Sequence, residues 1–439
     1  MSEIFKAYDI RGIYGETITD DIVRRIGRAF VSFLKCKKVV VGRDMRSHSE
    51  NMFKALAGGL TQQGADVVDL GMCSTPMSNY ANGFLQADAA IMITASHNPA
   101  EYNGLKLSRE KCIPIGGDSG MRDIQRMVEE DSCGGDAGKP GSVTGYDIFP
   151  EYKQHVLELA DMKRPVKAVA DAANAMGILE IDVIREVMSV EPMFAEFDGT
   201  FPNHEANPLK LETLASLQEK VKSGDYDFGI SFDGDADRAG FVDEKGEIVP
   251  MDCMIALIAR DMLEKEKGVV LYDLRSSWAV PEIIRENGGT PMISRVGHAF
   301  IKKQMRDNNA IFAGELSGHY YFRNNYYTES SSTAAICVAN IISKSGKPLS
   351  ELMKPIRRYH ASGEINSKVS DIGAVLERIK EKYADARIMT LDGVTVEYDD
   401  WWFNVRPSNT EPLIRLNLEA KSRDKMEARR DEVLSEIRK

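Results

Sequence analysis

No stretch of the sequence is apolar for long enough to cross a bilayer. The longest runs, Ala89-Ala-Ile-Met-Ile93 and Ala334-Ala-Ile-Cys-Val-Ala339, fall far short of the roughly 20 residues a spanning helix needs. No CxxC spacing occurs among Cys36, Cys73, Cys112, Cys133, Cys253 and Cys337, which argues against a structural zinc site and a disulfide framework. An excess of positive charge is also missing: 56 Lys plus Arg stand against 67 Asp plus Glu, a net charge of -11. The chain as a whole repels nucleic acid and phosphate, so an anionic ligand must be captured by a local cluster of basic groups. The opening Met1-Ser-Glu-Ile-Phe-Lys6 has no apolar stretch of signal-peptide type. These absences predict a cytoplasmic protein with reduced thiols that partners neither membrane nor nucleic acid.

What is present is a long, balanced globular chain. Its 439 residues suffice for two to four domains. Strand-like Lys38-Val-Val-Val-Gly42, Ala65 to Gly71 and Ala89 to Thr94 are separated by helix-like stretches such as Ser49 to Gln63. This alternation predicts βαβ units and a parallel or mixed sheet. It restarts at Lys167-Ala-Val-Ala-Asp171 with Asp227 to Phe232, and again at Gly268 to Asp273, Pro291 to Ser294 and Ala310 to Ala313. The end reads differently: a helix over Ile372 to Tyr383, strands at Val394 to Tyr398, Trp401 to Arg406 and Leu413 to Leu418, then a charged helix. Seams are expected at Cys133 to Gly145, around Pro250 to Cys253, and near Ala361 to Val369. The expected fold is three related α/β/α domains (1–145, 146–252 and 253–365) followed by an α+β domain with an antiparallel sheet (366–439).

Four loops carry chemistry. Thr94-Ala-Ser-His-Asn-Pro99 leaves a buried strand at its carboxyl end, where open α/β sheets place ligands, and Asn98-Pro99 enforces a turn. Ser96, with His97 beside it, is either a constrained nucleophile or a turn serine bonding its own loop. Lys106 follows, as a neutraliser of phosphate or a solvated surface charge. Asp233, Asp235 and Asp237 crowd the turn after Phe228 to Phe232, and a bound cation would relieve their repulsion. Oxygen-only ligands favour magnesium or manganese. An EF-hand is excluded, because Arg238 stands where that loop needs glycine. Gly314-Glu-Leu-Ser-Gly-His319 either offers Glu315, Ser317 and His319 to sugar hydroxyls or is a loop with no ligand. Arg406-Pro-Ser-Asn-Thr410, with Ser408, Asn409, Thr410 and nearby Arg415, has the inventory to cradle a phosphate, the alternative being a plain turn.

In their order these loops resemble the α-D-phosphohexomutases, most closely the phosphomannomutase/phosphoglucomutase branch. Tyr8-Asp-Ile-Arg-Gly12 resembles that family's opening motif. The resemblance implies a four-domain, heart-shaped molecule with one loop per domain in a central cleft. It implies that Ser96 is the phosphoserine, and that Asp233, Asp235 and Asp237, with a phosphoserine oxygen, hold Mg²⁺. Arg238 and Lys106 would then serve the transferring phosphate, with Tyr8, Arg11 and His298 lining the cleft. Glu315 and Ser317 would hold the 3- and 4-hydroxyls, and Arg406, Ser408, Asn409 and Thr410, assisted by Arg415, the second phosphate. The implied reaction interconverts hexose 1- and 6-phosphates through a 1,6-bisphosphate, which also serves as activator.

Three departures from the family pattern stand out. Ala236 replaces a frequent glycine, and Glu329 and Ser331 replace aspartate and glycine behind the sugar loop. Trp278 replaces a basic residue in Asp273-Leu-Arg-Ser-Ser-Trp278, which bears on the phosphate contacts expected from that loop and Arg275. Leu316, where phosphoglucosamine mutases tend to carry glutamine, favours neutral hexoses. A phosphoglucosamine mutase, a sugar-phosphate phosphatase and a non-catalytic sensor are the competing readings.

Overall fold

The computed structural model describes residues 2–407 and 413–439. Among them, four sheets follow one another along the chain. In the first, Lys38–Arg43 lies between Ala89–Ile93 and Asp66–Met72 in parallel register, with Val143–Gly145 beyond. Tyr102–Arg109 and Ile10–Ile13 extend it antiparallel at the other edge. The second sheet centres on Lys167–Asp171, parallel to both Ser189–Met193 and Phe228–Phe232. The third centres on Val269–Asp273, parallel to Thr290–Ser294 and Phe312–Gly314. Antiparallel strands complete both, so all three sheets are mixed, as expected.

The central strands Ala89–Ile93 and Phe228–Phe232 are buried at every residue, which explains their unbroken apolar sequences. Both end where polar loops begin, and this places the serine and the aspartates. The run Ala334–Ala339 lies in the helix Ser331–Ser345, which is buried on all sides among the first three units. Ser330 caps that helix by accepting from Thr333 N, and Gly346 at φ 64° ends it. One core runs through these three units.

The fourth sheet is antiparallel throughout, in the order His360–Lys368, Leu413–Ala420, Trp401–Pro407, Val394–Glu397, Arg387–Met389. The seam expected near Ala361 to Val369 is therefore the edge strand of this sheet, and the boundary expected at 365/366 falls inside it. Trp401, Phe403, Val405, Leu416 and Ile379 form a core of the fourth unit's own residues. Its junction with the third unit includes a hydrogen bond from Trp278 N to Glu419 at 3.0 Å, and Trp402 Nε1 donates to the same carboxylate from within the fourth unit at 3.0 Å.

Candidate active site

The serine loop is held from behind. Ser96 has φ 52°, a left-handed conformation that costs a non-glycine residue about 1–2 kcal/mol. Thr94 Oγ1 accepts from Ser96 N at 2.8 Å, and Arg46 donates to the carbonyls of Ser96, Asn98, Pro99 and Tyr102 at 2.6–2.9 Å. Arg46 is itself buried against Asp44. Ser96 Oγ donates to Asp233 Oδ2 at 2.9 Å and lies 3.1 Å from His97 Nδ1. Burial, then Arg238 and Arg11, hold the His97 imidazole well below its ordinary pKa.

The aspartate loop is clamped between the first and third units. Thr75 N donates to the Asp235 carbonyl at 2.9 Å, and Thr75 Oγ1 donates to the Asp235 carboxylate. Ser331 Oγ donates to the Ala236 carbonyl at 2.7 Å. Ala236 sits at φ 59°, so the frequent glycine of the family would relieve strain here. Behind the clamp, buried Glu180 accepts from Ser74, Tyr152 and Ser332, tying the starts of the two clamping helices to one carboxylate. Buried Lys302 compensates Glu329 at 2.7 Å.

Asp233, Asp235 and Asp237 are all buried and can each bring one oxygen within 4.8 Å of the others. Burial raises the Asp233 pKa, and the neighbouring Asp237 and Asp235 raise it further. Asp235 Oδ1 is buried with no hydrogen-bond partner among the described residues. An all-oxygen set with an orphaned carboxylate oxygen fits a hard divalent cation. Lys106 Nζ lies 2.5 Å from both Asp235 Oδ2 and Asp237 Oδ2. Burial opposes its charge, but the carboxylates outweigh burial and raise its pKa. Arg238 lies 3.6 Å from Asp233.

Across the cleft, Glu315 accepts from Gly297 N at 2.9 Å, Tyr321 Oη at 2.5 Å and His319 Nδ1 at 3.0 Å. Burial alone would raise the Glu315 pKa; His319, Tyr321 and Arg275 together hold it far below the ordinary value. Burial works against the His319 charge, yet Asp237 and Glu315 lift its pKa to about 9. Ser317 Oγ lies 3.0 Å from His319 Nδ1. The aspartate loop and the loop carrying Glu315 also meet directly, Ala239 N donating to Gly318 O at 3.0 Å.

These loops open on one cleft of about 730 Å³. It brings together Ser96, His97, Lys106, Asp237 and Arg238 with Tyr8, Arg11, Arg275, His298, Glu315, Ser317, His319, Arg406 and Arg415. Tyr8 packs edge-on against His298, with ring centroids 5.7 Å apart. His298 is lowered to about 4, mainly by burial and next by Lys302, so it is neutral at pH 7. Ser408, Asn409 and Thr410 lie outside the described residues. Trp278 does not face this cleft. Its Nε1 donates to Glu397 at 3.1 Å, and its ring lines a separate groove at the junction of the third and fourth units. From that loop the cleft receives Arg275, held by Asp273 at 2.7 Å.

Arg46, Thr75 and Glu180 escaped the sequence reading, and Ser331 entered it only as a departure from the family pattern. Arg46 alone had a local signal, a charged Arg43-Asp-Met-Arg46 run leaving a buried strand.

A serine against buried carboxylates, facing arginines across a cleft, has the equipment of a phosphoryl-transfer enzyme. Comparison with known proteins makes the class specific. Phosphoglucomutase/phosphomannomutase family models match along most of the length: α/β/α domain I at residues 2–133, domain II at 150–246, domain III at 250–359, and the C-terminal domain at 364–436. A phosphomannomutase of Escherichia coli is 39% identical, with 98% of each chain covered. A phosphomannomutase of Methanocaldococcus jannaschii is 38% identical over 99% of this chain and 98% of its own. The crystal structure of a Burkholderia thailandensis phosphoglucomutase/phosphomannomutase family protein superposes with a TM-score of 0.93 at 31% identity, covering 100% of this chain and 97% of that one. The chain belongs to the phosphoglucomutase/phosphomannomutase family.

Proposed function

We propose that the protein is a phosphohexomutase that interconverts hexose 1-phosphates and 6-phosphates, with mannose or glucose as the sugar, through phosphorylated Ser96 and a 1,6-bisphosphate. The observation that carries this reading is Ser96 Oγ, 2.9 Å from Asp233 in a cleft also lined by Arg11, Arg238, Arg275, Arg406 and Arg415. A net negative chain gathers Arg11, Lys106, Arg238, Arg275, Arg406 and Arg415 around one cavity, the local cluster that anion binding requires.

In the first half-reaction the bond between phosphorus and Ser96 Oγ breaks, Ser96 Oγ keeping the electron pair and taking up a proton, while a bond from a sugar hydroxyl oxygen to phosphorus forms. The hydroxyl's proton passes to a neutral base; His298, on the cleft wall, can accept it. Charge spread over the transferring phosphoryl group meets Arg238 and Lys106. Mg²⁺ held by Asp233, Asp235, Asp237 and an oxygen of phosphorylated Ser96 would add Lewis-acid stabilisation of that charge. Glu315 and Ser317 orient the sugar, and Arg406, Arg415 and Arg275, with Ser408, Asn409 and Thr410, hold the phosphate that is not reacting. The bisphosphate turns end for end and returns its other phosphate to Ser96, which makes sugar 1,6-bisphosphate an activator of unphosphorylated enzyme. Six unpaired, buried cysteines suit a reducing cytoplasm.

The test is turnover of mannose, glucose and glucosamine 1-phosphates with Mg²⁺, with and without a trace of 1,6-bisphosphate. Conversion of the neutral sugars to 6-phosphates is expected. Release of free phosphate would make the protein a phosphatase, preference for glucosamine a phosphoglucosamine mutase, and binding without turnover a sensor.

A further inference from the structure

The three arginines of the phosphate grip come from two units and meet on one carboxylate. Glu364 Oε1 accepts from Arg415 at 2.9 Å, and Oε2 accepts from Arg406 at 3.3 Å and lies 3.7 Å from Arg275. Arg406 and Arg415 stand directly opposite each other on neighbouring strands, an arrangement that like charges disfavour. A third guanidinium, Arg275, reaches in from the third unit. Burial and then Arg275 push the Arg406 charge down, and Glu364 opposes them.

The backbone is built to deliver this carboxylate. Between Ala361 and Glu364 the edge strand gains a residue over its partner, and Gly363 takes φ 69° in the bulge. Beyond it Glu364 pairs with Asn417 and Asn366 with Arg415, so Glu364 shares a face with Arg415 and sits diagonal to it. One residue of slip would turn Glu364 to the other face. Among the described residues the three arginines line the cleft and Glu364 does not; it stands behind them.

We propose that Glu364 is a positioning residue for phosphate recognition: its carboxylate ties Arg406 and Arg415 together and draws them towards Arg275, which Asp273 anchors from the third unit, in a converging grip before substrate arrives. The proposal rests on the mutase reading of the cleft. Three guanidiniums against the carboxylates of Glu364 and Asp273 leave a net positive charge that attracts a phosphate dianion. Without Glu364 the cleft gains attraction for anions, but the arginines repel one another out of the orientation that forked bonds to phosphate demand. The orientation term dominates, because each charge-assisted bond depends on geometry while the added charge is screened at the cleft mouth.

The experiment compares Glu364→Gln with wild type in glucose 1-phosphate turnover and in calorimetric binding of inorganic phosphate. KM should rise by about tenfold or more, the loss of one charge-assisted bond, with kcat changed far less. Phosphate binding should weaken in parallel. An unchanged or lowered KM overturns the proposal, the lowered value making Glu364 a competitor of phosphate. If Glu364→Gln does not fold, Glu364→Asp decides: its carboxylate is retracted by one methylene, so KM should rise, and a wild-type KM overturns the proposal. If wild type fails to convert glucose 1-phosphate, the mutase reading falls separately, and phosphate binding alone decides: weaker in the variant supports the grip, equal or tighter overturns it.

Discussion

A methyl group added at Gly234 tests whether the serine and aspartate loops form one site. Gly234 lies between Asp233 and Asp235, and a Cβ there would stand 2.2 Å from the Ser96 carbonyl oxygen and 3.1 Å from its carbonyl carbon. Comfortable contact needs about 3.5 Å, so Gly234→Ala must part the loops by about 1 Å. The carbonyl cannot swing aside, because Arg46 holds it at 2.9 Å. The 2.9 Å bond from Ser96 Oγ to Asp233 then stretches beyond hydrogen-bonding range. Overpacking of this kind costs about 1–3 kcal/mol of stability. Misplacing reacting groups by about 1 Å costs about 100-fold in rate. Glucose 1-phosphate turnover, Mg²⁺ titration and thermal unfolding of the same preparation should show the rate loss with a weakened metal midpoint in a folded protein. Activity within a few fold of wild type, at an unchanged Mg²⁺ midpoint, would refute the packing argument.

Two further outcomes follow from single carboxylates. Asp235→Asn removes charge from the buried trio while keeping its shape, so Mg²⁺ should bind more weakly and turnover fall by about 100-fold or more; an unchanged metal requirement would make the loop structural. Glu419 is raised from the ordinary 4.5 to about 7, chiefly by burial. Between those values the folded chain keeps a proton that the unfolded chain has lost, so stability declines as pH rises through that window. The penalty reaches roughly 3 kcal/mol above pH 7. Glu419→Gln retains an acceptor for Trp278 and Trp402, so its urea stability relative to wild type should improve steadily from pH 5 to pH 8. A difference that does not vary with pH would contradict the assignment.

The exits of buried strands were the most legible feature of the sequence. Ala89–Ile93 and Phe228–Phe232 are continuous apolar runs followed by polar turns, so both loops could be read from local pattern alone. The charged helix and three strands of the last unit were equally plain. The strand His360–Lys368 was not: it is an edge strand, largely exposed, polar and broken by a bulge, so its sequence resembles a linker. Tyr102–Arg109 escaped because Asn103 and Gly104 weaken its strand character, although Gly104 must be small where its Cβ would meet the Ile10 carbonyl at 2.1 Å. Thr75, Glu180 and Glu364 carry no local signal, since each acts on a residue far away in sequence, and Ser331 stood out only as a departure from the family pattern. Trp278 misled for a related reason: Arg275 and Trp278, three residues apart, face different cavities.

The central claim is that Ser96 itself carries the phosphoryl group. Its most direct test is incubation with glucose 1,6-bisphosphate labelled in both phosphates, followed by peptide mass spectrometry and turnover, on wild type and Ser96→Ala. The account predicts one labelled phosphoryl group on Ser96 that chases into glucose 6-phosphate when unlabelled glucose 1-phosphate is added, and neither label nor turnover in a folded Ser96→Ala. Label on another residue, or substantial turnover by Ser96→Ala, would contradict it.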